Sequence, residues 1–203
     1  MLQRFMITVK ENRSWLILSF LLFAGGAGLS YISLTHEPEL FAILEETSLP
    51  LLQELSELVF GGHPLRGAAI LFLHNLTSVL QVIFFGIILG ILPLFSAIAN
   101  GAILGALTFQ LSQEGIAPLP FLMAGILPHG IFELPAFLLS AALGLKFGYH
   151  VVFPIPQYTR RQSLALIFQE IGIVLPVVFI LLLLAALLEV FVTPGVLEYY
   201  LAL

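Results

Sequence analysis

The sequence predicts an all-α integral membrane protein. It reads as a single domain over 1–203: a bundle of five transmembrane helices, the fourth long and proline-broken, with a short external amphipathic helical segment. Three observations carry that prediction. The 203 residues are 60% hydrophobic and only 9% charged, whereas a soluble domain carries about a quarter charged residues. Mean hydropathy is +1.09. The apolar residues collect in runs long enough for a bilayer, which needs about 20 residues at 1.5 Å each. The composition also excludes other classes. There are no cysteines, hence no disulfides or thiolate metal sites, and every acidic residue is glutamate. The few Lys and Arg residues leave no basic footprint for nucleic acid.

A short polar head with Arg4, Lys10 and Arg13 precedes the first span, 15–33, whose Trp15 suits an interface. No cleavable signal is expected, because this run is long and lacks a small-residue cleavage site. Its Gly25-Gly26-Ala27-Gly28 cluster offers a smooth surface for another helix. Over 36–60, Glu37, Glu39, Glu45, Glu46, Glu54 and Glu57 alternate with leucines at three- and four-residue spacings, as in short amphipathic helices lying on a membrane surface. Gly61-Gly62-His63-Pro64 turns the chain back into the second span, 66–92. That span carries His74, Ser78 and Gln81 on one face, with Asn75 adjacent and Gly86 and Gly90 as a close-packing pair.

The third span, 95–112, follows after a very short turn, so spans two and three are expected to form an antiparallel hairpin. Ala97, Gly101, Gly105, Thr108 and Ser112 give it a small-residue stripe beside Asn100. The fourth span, 117–147, contains Pro118, Pro120, Pro128 and Pro135, and a break near Pro128 is expected. Lys146 to Gln162 reads as a polar loop with Arg160 and Arg161, and the fifth span, 163–192, holds Glu170, Pro176 and Glu189. With the N terminus cytoplasmic and the C terminus external, every cation but Arg66 falls on the cytoplasmic side, the positive-inside pattern of a cell-membrane protein.

The stretch from Leu127 to Ala136 places His129 and Glu133 one helical turn apart between Pro128 and Pro135, inside an apolar run. Lipid satisfies neither ionisable side chains nor carbonyls freed by proline, so neighbouring helices must supply partners. Counting at 1.5 Å per residue puts His129 near mid-membrane, His74 and Glu189 in the outer half, and Asn100 and Glu170 in the inner half. Two readings stay open. One is a divalent-metal site, zinc for example, with His129 and Glu133 completed by His74 and Glu189. The other is a polar hub in which His129 and Glu133 hydrogen-bond Asn75, Asn100 and the carbonyls freed by Pro128 and Pro135, with Glu170 nearer the inner surface. Glu133, lying deeper than Glu170, is expected to matter more to stability.

The Pro128-His129-Gly130-Ile131-Phe132-Glu133-Leu134-Pro135-Ala136 stretch resembles the stage II sporulation protein M family, also catalogued as a domain of unknown function. Asn100-Gly101, Gly105, the region of Asn75 and the terminal Glu189-Val190-Phe191-Val192-Thr193-Pro194 fit the same family, so the resemblance runs from the second span to Pro194. It implies a multi-pass membrane protein. In spore-forming bacteria the family's namesake acts with a peptidoglycan-degrading enzyme and a second membrane protein during engulfment, as a scaffold and not as the hydrolase.

The function expected on this basis is that of a non-enzymatic membrane component, a scaffold that organises membrane or cell-envelope proteins within the lipid bilayer as a homo-oligomer, built around the buried His/Glu hub. A small-solute or ion transporter or channel component is the alternative from another class, through a path lined by His129, Glu133, His74 and Asn100. An intramembrane metal-dependent hydrolase would need three ligands, an open position and a general base, and only two groups have fixed mutual geometry in the sequence.

Overall fold

The computed structural model describes residues 2–37, 39, 41, 46, 54 and 57–202. Among these, all regular structure is helical. A first helix, α1 (Leu2–Glu11), leads through Asn12 into α2 (Arg13–His36). After the turn at Gly61-Gly62 come α3 (Pro64–Phe84), a 3-10 turn (Phe85–Ile87) and α4 (Ile91–Gln113). They are followed by α5 (Pro118–Gly125), α6 (Leu127–Val152), α7 (Arg160–Phe191) and α8 (Thr193–Leu201). Five of these helices, α2, α3 with its 3-10 turn, α4, α6 and α7, are long and apolar enough to cross a membrane. The amphipathic segment expected at 36–60 lies largely outside the described residues.

Each helix boundary has a local cause. His63 caps α3, its Nδ1 accepting from the Leu65 N–H at 3.3 Å, with Pro64 in the first turn, where a missing N–H costs nothing. Thr159 and Gln162 cap α7 reciprocally: the Thr159 hydroxyl accepts from the Gln162 N–H, and the Gln162 side chain accepts from the Thr159 N–H. The fourth span, expected to break near Pro128, consists of two helices that meet at Ile126 (φ −117°, ψ −43°), α5 before it and α6 after it. Pro128 cannot donate to the carbonyl four residues back, which frees the chain to turn there. A second break of the same shape occurs at Val192 (φ −115°, ψ −49°), two residues before Pro194.

Helix α6 is the axis of the bundle. Its residues 139–148 are buried without interruption. It packs most extensively along α7, and also touches α2, α3, α4 and α5. The apolar core joins Val79 and Ile83 of α3, Leu139, Leu143 and Phe147 of α6, and Ile167, Ile171, Val174, Val178 and Leu182 of α7. On the other side α2 lies along α4 so closely that a Cβ on Gly101 would overlap the Phe23 carbonyl, and one on Gly26 the Ile98 carbonyl. The small stripe of α4 and the glycine cluster of α2 therefore serve each other.

Two expectations are corrected here. The second and third spans do not pack as a hairpin: α3 and α4 touch little, and α4 pairs with α2. The reason is that Gly86 and Gly90, beside the connecting turn, receive Gly144 and Gly148 of α6, which takes the place of a direct contact. Lys146 does not open a polar loop. Helix α6 continues to Val152, and Lys146 is a buried helix residue, 8% exposed.

Candidate functional site

The two proline breaks are what build the site. His129 and Glu133 lie in the first two turns of α6, just after the break at Ile126. Glu189 lies in the last turn of α7, just before the break at Val192, and Thr193 opens α8 just after it. Helix α5 packs on α8, so the two broken connections sit side by side and their polar residues converge. One ligand atom from each of His129, Glu133 and Glu189 falls within 4.8 Å of the other two.

Hydrogen bonds fix the orientation of two of these groups. Asn75 of α3 donates from Nδ2 to Glu133 Oε1 at 3.0 Å. His129 Nδ1 lies 3.2 Å from Thr193 Oγ1, and the Thr193 hydroxyl lies 3.2 Å from the Leu188 carbonyl, to which it donates. With that proton committed, the hydroxyl can only accept from the imidazole, so the proton sits on Nδ1 and Nε2 keeps its lone pair. An open cleft of about 850 Å³ runs past the site, lined on its polar side by His74, Asn75, Gln81, Asn100, His129 and Glu133. A smaller open pocket of about 360 Å³ shares His129 with it and is bounded by Glu189, Thr193 and Pro194.

The residues singled out in the sequence therefore divide. His129, Glu133, Glu189 and Asn75 come together. His74 faces the cleft but stands outside the trio, and Asn100 faces it while bonding only its own helix, at the Ser96 carbonyl. Pro128 lies in the first turn of α6 and Pro135 inside the helix, on either side of the His/Glu pair. Glu170 does not belong to the hub. It accepts from Lys146 Nζ at 2.8 Å and 2.6 Å and from Asn12 Nδ2 at 3.1 Å. Glu133 and Lys146 are 13 residues apart on α6, about 20 Å along the helix. The bundle thus has two polar centres at different levels along α6.

Thr193 escaped notice as a site residue because a threonine before Pro-Gly reads as helix punctuation. Its pairing with His129 depends on two breaks that only the tertiary arrangement sets side by side. Near the C-terminal end of α6, Trp15 packs tilted against Tyr149 (5.4 Å between ring centroids) and edge-on to His150 (6.1 Å), an aromatic cluster of the kind found at a membrane interface.

Comparison with known proteins adds the following. The family model described as Stage II sporulation protein M matches residues 17–194. An uncharacterized protein of Methanocaldococcus jannaschii is 33% identical over 130 residues, covering 62% of this chain and 72% of that protein. No solved structure matches.

Proposed function

We infer that this chain, which belongs to the stage II sporulation protein M family, is a non-enzymatic organiser of other membrane or envelope proteins. The observation that carries this reading is the extent of the family match, which reaches into all five long apolar helices. What the family shares is then the bundle itself, and partners would be held through its helix faces. Gly25 and Gly28 of α2 support this, since both have open space where a side chain would stand, a surface on which a further helix can approach closely. That further helix belongs to a second copy of the chain or to a partner. The positive-inside pattern supports a cytoplasmic N terminus. Affinity capture of the tagged chain from its native membrane is expected to recover a reproducible set of membrane proteins. Recovery of none would overturn the reading.

A second reading, passage of a small solute or ion, is favoured by the cleft of about 850 Å³ and by the polar residues set in its mainly apolar wall, His74, Asn75, Asn100, His129 and Glu133. Under it, Glu133→Gln alters flux into proteoliposomes; flux equal to that of the unsubstituted chain sinks it.

A further inference from the structure

We propose that His129, Glu133 and Glu189 bind a divalent first-row transition-metal cation, with Thr193 and Asn75 holding two of the ligands in place. The site is independent of the scaffold reading and stands or falls separately.

Charge is the first argument. Two carboxylates, one on α6 and one on α7, converge within an apolar bundle. Among the described residues the ion pair present is Lys146–Glu170, at the other polar centre, so no Lys or Arg neutralises them. Unpaired charge is costly in a membrane interior. One divalent cation with two carboxylates and a neutral imidazole makes a neutral unit.

The ligand geometry is the second argument. Donor atoms bound to a common ion at about 2.0–2.2 Å in a tetrahedral arrangement are roughly 3.4 Å apart. One ligand atom from each of the three residues already lies within 4.8 Å of the other two, so the three side chains reach towards one common point. The chemistry of the set, one imidazole and two carboxylates, suits zinc and its divalent neighbours in the first transition row.

The hydrogen bonds are the third. A metal-bound histidine donates its other ring N–H to a protein acceptor, which fixes the tautomer and the ring. Thr193 does this for His129: its hydroxyl proton goes to the Leu188 carbonyl, so its oxygen accepts from Nδ1–H and leaves Nε2 as the donor to a metal. Asn75 holds one oxygen of Glu133 and leaves the other free. Access is the fourth. His129 borders both cavities, Glu133 the larger and Glu189 the smaller, so the fourth coordination position that three protein ligands leave open can be filled from either side.

The test uses the full chain purified in detergent, stripped with a chelator and titrated with Zn²⁺, and with Co²⁺ for its visible absorption. The expected result is about one chelator-reversible equivalent per chain, with a rise in unfolding temperature. His129→Ala and Glu189→Gln should weaken binding by at least about 100-fold, and Thr193→Val, which removes no ligand, by about 10- to 100-fold. His36→Ala, which alters an exposed histidine at the end of α2, should bind as the unsubstituted chain does. Thr193→Val keeps the test decisive if a ligand variant fails to fold. No stoichiometric binding, which would leave the two carboxylates sharing a proton, overturns the proposal. Equal binding by the unsubstituted chain, Glu189→Gln and Thr193→Val overturns it too.

Discussion

Lys146→Met is expected to destabilise the folded bundle by about 3–5 kcal/mol, the cost of breaking a buried ion pair by removing one partner. The pair is well formed. Both carboxylate oxygens of Glu170 accept from Lys146 Nζ, and the side chains are only 10% and 19% exposed. Without the ammonium, Glu170 keeps Asn12 as its hydrogen-bond donor and remains a charge among apolar helices. Glu170→Leu should be comparably costly because it strands the lysine. The double variant, Lys146→Met with Glu170→Leu, should recover much of the loss, since apolar replacement of a whole buried pair is often neutral. Denaturant unfolding in a mixed detergent system, run as a double-mutant cycle, measures this. A single variant as stable as the unsubstituted chain would refute it.

This reverses the ranking that depth alone suggests. Counting residues along the spans puts Glu133 deeper than Glu170, but its hydrogen-bonded partner is the neutral Asn75, and losing that bond costs about 1 kcal/mol. Glu133→Ala also separates two converging carboxylates. Stability is therefore expected to fall less for Glu133→Ala than for Lys146→Met, and the contribution of Glu133 is sought in binding.

Five membrane-length helices were legible because apolar run length is a direct consequence of bilayer thickness. The His129/Glu133 pair was legible because i,i+4 spacing survives any tertiary arrangement. What could not be read was which helix faces which. Gly86 and Gly90 announce a close approach without naming the partner, which proves to be α6 and not α4. The ion pair had a signal that went unused. Lys146 and Glu170 stand on antiparallel neighbours, six and ten residues from the ends of the intervening loop, or roughly 9 and 15 Å in depth. Opposite charges so placed can meet. The expectation of a loop beginning at Lys146 hid that, because a lysine beside a membrane span looks interfacial.

Gly148→Ala is expected to cost about 3 kcal/mol, the upper part of the range for overpacking, although it adds a single methyl group. A Cβ at this position would overlap backbone atoms of Gly90 and the carbonyl oxygen of Gly86, and backbone cannot turn aside as a side chain can. Gly90 has little freedom to retreat, because it holds a left-handed conformation (φ +70°) at the start of α4, directly after Leu89, itself at φ +54°. Either the whole turn between α3 and α4 lifts off α6, or α6 shifts along its own axis and disturbs its packing on α7. Gly172→Ala on α7 is the matched control: nothing lies within 4 Å of the added atom, so the higher helix propensity of alanine should leave stability unchanged or raise it by about 0.5–1 kcal/mol. Unfolding midpoints of the two variants, compared in the same detergent, separate a contact effect from a propensity effect. Equal midpoints would mean that α6 is not clamped at the turn. A loss confined to Gly148→Ala would show that α6 is clamped against the turn near the level of the Lys146–Glu170 pair, about 20 Å along α6 from Glu133.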